Sequence, residues 1–69
     1  MDTVATFSQQ RPLLFSIAYR MLGSVMDAED MVQETFLRWQ DAPADDVLAP
    51  KSYLATVITR LCIDHSAAG

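Results

Sequence analysis

An all-α bundle is the fold class this sequence predicts, with three main helices and a short N-terminal one. Three observations carry that expectation. Half of the 69 residues (51%) are apolar and only two are glycine, the composition of packed helices rather than of a flexible or fibrous chain. Apolar residues recur at spacings of three and four, and nothing alternates at the period of two that a half-buried strand needs. Proline and glycine fall where helices begin and end, at Pro12, Gly23 and Pro50. At this length there is room for one domain and one core, so residues 1–69 are expected to form a single unit.

The elements follow in order. Asp2 or Thr3 can cap a short helix that carries Val4 and Phe7 and runs to about Gln10. Proline is tolerated best in a first turn, so a new helix is expected to start at Pro12 and run to Leu22. From Leu13 to Leu22 only Ser16 and Arg20 are polar, and a helix apolar nearly all round is buried on several sides or meets a partner. Gly23 supplies the left-handed stop. Ser24 followed by Asp27 resembles a capping box, with Asp27, Glu29 and Asp30 suiting the positive end of the helix dipole. At 100° per residue, Val25, Ala28, Val32, Phe36 and Trp39 fall within about 80° and form the expected core face. Asp27, Asp30, Glu34 and Arg38 lie roughly opposite.

Residues 41–49 read as a loop, whose proline and three aspartates stop the helix and whose Val47 and Leu48 are expected to tuck back onto the core. Pro50 then takes the first position of a last helix running to about His65. Ala49 before it offers no side-chain oxygen, so the cap is weak. Leu54, Ile58, Leu61, Cys62 and His65 share the inner face of that helix. Tyr53, Thr56, Arg60 and Asp64 share another, about 130° round.

Composition excludes several functions. No apolar run approaches the length of a membrane span, and Met1-Asp2-Thr3 lacks the basic start of a signal peptide, so a cytoplasmic protein away from membranes is expected. Cys62 is the single cysteine, which leaves no internal disulfide. Cys62 and His65 could meet on one helix turn, but nothing nearby supplies an oxyanion hole or an orienting group, so no enzyme is expected. Asp27, Asp30 and Glu34 point away from the core, whereas metal sites in helical bundles project inward, so neither metal nor cofactor is expected. Nine acidic residues against five basic ones give a net charge of −4, with Lys51 the only lysine. A chain of that charge cannot displace enough counterions to bind nucleic acid tightly unaided.

Two surfaces exceed what a minimal bundle requires. Met26, Asp30, Gln33, Glu34 and Leu37 mix apolar anchors with charges, which suits a protein contact and equally an ordinary solvated face. Tyr53, Thr56, Arg60 and Asp64, with Lys51 and Thr59 at the edges, could stack on and hydrogen-bond an unpaired base. Taken as patterns, neither is specific.

The residue order is more specific than the pattern. Gly23-Ser24, followed by Asp27-Ala28-Glu29-Asp30-Met31-Val32-Gln33-Glu34-Thr35-Phe36-Leu37-Arg38-Trp39, resembles region 2 of bacterial RNA polymerase sigma factors of the extracytoplasmic-function (ECF) group. Arg11-Pro12-Leu13-Leu14 with Ile17-Ala18-Tyr19-Arg20-Met21 resembles the helix before that motif. Pro50-Lys51-Ser52-Tyr53-Leu54, ending in Arg60-Leu61-Cys62-Ile63-Asp64-His65, resembles the helix after it. The resemblance covers about residues 7 to 65.

It implies roles for both surfaces. The second helix would dock on the coiled-coil clamp helices of the polymerase β′ subunit through Asp30, Gln33 and Glu34, with Leu37 and Arg38 nearby. The last helix would recognise the promoter −10 element as the duplex opens, with Tyr53, Thr56, Arg60 and Asp64 facing a flipped base of the non-template strand and Lys51 near phosphate. Flipping costs a few kcal/mol, which such a pocket must offset. The resemblance also accounts for the acidity, because sigma factors meet promoters as part of holoenzyme. The family usually continues after Asp64-His65 with leucine and several arginines, whereas this chain reads Ser66-Ala67-Ala68-Gly69. A region 2 fragment lacking region 4 is therefore expected. Without that basic stretch, a sigma-like module that binds polymerase or an anti-sigma partner without reading DNA is the alternative. The apolar Leu13–Leu22 helix also suggests self-association of the isolated domain.

Overall fold

The computed structural model describes residues 3–41 and 49–68. They form three helices, α1 (Thr3–Leu22), α2 (Val25–Asp41) and α3 (Pro50–Ala68), with no strand among the described residues. The all-α bundle expected from the sequence is what forms.

Its core draws on all three helices. Phe7, Leu14 and Ala18 come from α1, Ala28, Val32 and Trp39 from α2, and Leu54, Ile58 and Cys62 from α3. Phe7 meets Phe36 edge to face, with ring centroids 4.9 Å apart. Helix α1 packs extensively on both partners, whereas α2 and α3 touch each other least. A groove therefore opens between α2 and α3. The two run antiparallel: Trp39 meets Tyr53 near one end, and Asp27 meets His65 twelve residues further along both helices.

The separate N-terminal helix is a correction. No break occurs at Pro12; α1 runs through it as one helix of 20 residues. Proline removes the hydrogen bond to the carbonyl four residues back, here that of Ser8, and disfavours helical geometry at Arg11. Ser8, Arg11 and Pro12 are all exposed, so water can reach the freed carbonyl. Phe7 before the proline and Leu14 and Ala18 after it are buried in the same core. Burying both halves on one face outweighs the local penalty.

The α1–α2 turn forms as expected. Gly23 has φ 70° and its N–H donates to the Tyr19 carbonyl at 2.8 Å. Nothing lies within 4 Å of where a Cβ would sit, so the position requires glycine for its backbone angle rather than for space. Ser24 caps α2, its Oγ accepting from the Asp27 N–H at 3.3 Å. The Asp27 carboxylate, still partly exposed, turns towards α3, with Oδ1 3.7 Å from His65 Nε2.

The buried stripe of α2 is Ala28, Val32, Thr35 and Trp39. Val25, expected inside, is 53% exposed, because it opens the helix beside the turn at the end of the bundle. Thr35 takes the inner place. Its hydroxyl donates back to the Met31 carbonyl at 2.7 Å, so the residue buries its methyl without stranding a polar group. On α3, Leu54, Ile58 and Cys62 are buried as expected, Leu61 is half-buried, and His65 is exposed. Pro50 opens α3, and the Ala49 carbonyl accepts the Tyr53 N–H at 3.0 Å. The helix extends three residues past His65. The expected tuck of Val47 and Leu48 lies outside the described residues, as does Asp2.

Candidate functional site

Two surfaces of α2 point in different directions. At 100° per residue, Met26, Asp30, Gln33 and Leu37 form a stripe about 60° wide, roughly opposite the buried stripe. All four are exposed, Met26 at 79% and Leu37 at 48%. This outer stripe is a ridge of two apolar side chains with an acid and an amide between them. Glu34 lies beside it, half-buried, and pairs with Arg38 one turn on, Oε1 to Nε at 3.8 Å. Both side chains are about half exposed, so the pair orients them more than it stabilises the helix.

The α3-facing side of α2 forms one wall of the groove. Arg38 and Asp41 line it from α2, and Tyr53, Val57, Arg60, Leu61 and Asp64 line it from α3, around an open volume of about 570 Å³. Tyr53 is half-buried, and its ring leans on Trp39 at 5.9 Å and 51°, so the core indole fixes the aromatic wall. Val57 and Leu61 make the apolar floor. Arg38, Arg60, Asp41 and Asp64 supply donors and acceptors in equal number of charges. A flat aromatic, apolar walls and hydrogen-bonding groups of both kinds are what an extruded nucleobase requires.

The structure thus brings together Tyr53, Arg60 and Asp64 of the residues singled out on α3. Thr56 is set apart. It lies about 60° round the helix from the centre of that group and lines a shallow surface with Ala55, Thr59 and Arg60. Lys51 is exposed in the first turn of α3, near the Tyr53 end. Arg38, grouped with the outer stripe on its place in the motif, faces the groove. Val57, Leu61 and Asp41 did not stand out in the sequence as groove residues. The signal was there on α3, where Tyr53, Val57, Arg60 and Asp64 follow i, i+4, i+7, i+11.

Cys62 is fully buried and burial pushes its thiol up, the opposite of what a nucleophile needs. His65 faces Asp27 across the α2–α3 gap. No group of three or more His, Cys, Asp and Glu side chains among the described residues could hold a metal ion. No helix there is long and apolar enough to cross a membrane.

A family model described as Sigma-70 region 2 matches residues 6–68. The ECF RNA polymerase sigma factor SigJ of Mycobacterium tuberculosis (strain ATCC 25618 / H37Rv) is 48% identical over 61 residues, covering 88% of this chain and 19% of that protein. The probable ECF RNA polymerase sigma factor SigI of Mycobacterium tuberculosis (strain CDC 1551 / Oshkosh) is 43% identical over 61 residues, covering 88% of this chain and 21% of that protein. The chain spans about a fifth of the length of the curated relatives it matches. No solved structure matches it. A match along nearly the whole chain, on a three-helix fold with the expected motif on α2, settles the family: the chain belongs to sigma-70 region 2, as a region 2 domain of the ECF kind.

Proposed function

We propose that the chain acts in transcription initiation as one module, docking on core RNA polymerase through the outer stripe of α2 and engaging the −10 element through the α2–α3 groove. The observation that carries this reading is the separation of the two surfaces. A single helix presents the stripe on one side and a wall of the groove on another, so one domain can hold the polymerase and an unpaired strand together. Asp30, Gln33 and Glu34 offer acceptors for cationic side chains on the β′ clamp helices, and Leu37 offers an apolar anchor beside them. Tyr53 offers a stacking face for a flipped base of the non-template strand, and Arg60 and Asp64 offer a donor and an acceptor for its edge. Thr56 and Lys51 would meet the strand outside the groove, Lys51 near phosphate.

In this reading the domain does no chemistry, uses no cofactor and works in the cytoplasm, and the polymerase catalyses. Its charge of −4 fits a module whose affinity for DNA is supplied mostly by its partners. That same charge favours the second reading, a module that binds polymerase or an anti-sigma partner through the α2 stripe and leaves DNA alone.

Binding to an isolated β′ clamp-helix fragment tests the docking half. Saturable binding by the parent chain, lost in Asp30→Ala/Glu34→Ala, is the expected result. Failure of the folded parent chain to bind would remove polymerase docking through this surface.

A further inference from the structure

Arg38 is the residue whose place in the fold departs furthest from its place in the motif. It follows Asp30, Gln33, Glu34 and Leu37 in sequence, yet it sits about 100° round α2 from the centre of the outer stripe. There it lines the α2–α3 groove opposite Tyr53, Arg60 and Asp64. Its side chain is 56% exposed, and Glu34 meets it at Nε, the end of the guanidinium nearest the chain. That contact steadies the stem and leaves the two terminal nitrogens as the ones that can fork onto an anion. Across the groove, Arg60 and Asp64 stand one helical turn apart on α3 and line it beside Tyr53. A strand entering the groove with a base against Tyr53 must carry its phosphates along the rim, and Arg38 is the groove cation on the α2 rim.

We propose that Arg38 is a strand-binding residue, holding a backbone phosphate of single-stranded DNA at the α2 edge of the groove, rather than a polymerase contact. The proposal rests on the reading of the groove as the strand site. It requires α2 to serve both partners, with its outer stripe on protein and its groove edge on nucleic acid. A phosphate contact is sequence-independent, so Arg38 contributes affinity and register while the α3 side chains meet the base.

Trp39, the only tryptophan, lies against Tyr53 and reports on the groove. The probe is a single-stranded deoxyoligonucleotide pool of randomised sequence, titrated at low salt into the chain, with Trp39 fluorescence as the readout. Arg38→Ala, Arg38→Lys, Arg60→Ala and Asp30→Ala are compared, each checked for parental helicity by circular dichroism. We expect Arg38→Ala to weaken strand binding roughly five- to tenfold and to reduce the slope of log affinity against log salt by about 0.7, the value for one phosphate on a single strand. Arg38→Lys keeps the slope, Asp30→Ala leaves strand binding unchanged, and in a Glu34→Ala background, where the ion pair is already gone, adding Arg38→Ala weakens core-polymerase binding no further. Unchanged strand affinity in Arg38→Ala, with a loss in Arg60→Ala, overturns the role of Arg38 and leaves the groove reading standing. A further loss of polymerase binding on adding Arg38→Ala to Glu34→Ala overturns the assignment of sides. No strand binding by the parent chain even when it is assembled on core polymerase, or none there that depends on Arg60, overturns the groove reading and this proposal with it.

Discussion

Replacing Pro12 with alanine should make this domain more stable. Pro12 is the tenth residue of a 20-residue helix, and its ring removes the hydrogen bond to Ser8. Proline in a helix interior is less favourable than alanine by about 3 kcal/mol. Part of that is already relieved, because Ser8 is exposed and water can serve its carbonyl. Alanine should therefore recover about 1–3 kcal/mol. A chain of 69 residues has a total stability of roughly 3–10 kcal/mol, so the gain is a large fraction of the whole. For a domain of this size each kcal/mol moves Tm by about 4–8 °C, and a gain near 2 kcal/mol corresponds to roughly 8–16 °C. Thermal melts followed by circular dichroism at 222 nm, the standard helix band, read this directly, and urea titrations should show a higher midpoint at an unchanged m-value, a change in stability without a change in the surface exposed on unfolding. An unchanged or lowered Tm would refute the reasoning. It would mean that α1 is two helices meeting at Pro12, where proline at a first position is favourable.

Two further outcomes follow from the packing. Burial raises the Cys62 thiol above its ordinary value of 9.0, so the folded state favours the neutral form. The stability this contributes is fully present below the unfolded value and is lost as pH rises through the higher folded one. Alkaline titration of the unfolding free energy should fall more steeply in the parent than in Cys62→Ala, and parallel curves would contradict the assignment. Self-association of the isolated chain is expected at high concentration, because Tyr19, Met21, Val25 and Met26 expose apolar surface around the α1–α2 turn. Sedimentation equilibrium should show it weakening in Met26→Glu, and a monomer at all concentrations would remove the idea.

The limits of sequence reasoning here are physical and local. The start of α2 was legible because the signals at Gly23 and Ser24 are backbone chemistry, independent of what packs nearby. The start of α3 at Pro50 was legible for the same reason. Pro12 misled because a local preference was weighed without the tertiary contacts on both sides of it, Phe7 and Leu14. Thr35 escapes the apolar pattern because its hydroxyl is polar, although the helix itself satisfies it at Met31, and Val25 reads as inside because periodicity does not show that the bundle ends beside the turn. The groove was half legible. Periodicity placed Tyr53, Arg60 and Asp64 on one face of α3, but the opposite wall depends on how α2 is rotated against α3. Only the packing of both on α1 decides that, and it is what carries Arg38 to the groove.

The central claim is that one domain holds polymerase and strand on separable surfaces, and a crossed measurement tests it most directly. Asp30→Ala/Glu34→Ala and Arg60→Glu would each be assayed for binding to core polymerase and for opening of a promoter in reconstituted holoenzyme. The account expects the α2 double variant to lose polymerase binding and, with it, opening. Arg60→Glu should bind polymerase as the parent does and fail to open the promoter. Opening unaffected by Arg60→Glu would contradict the account and leave a module that meets polymerase alone.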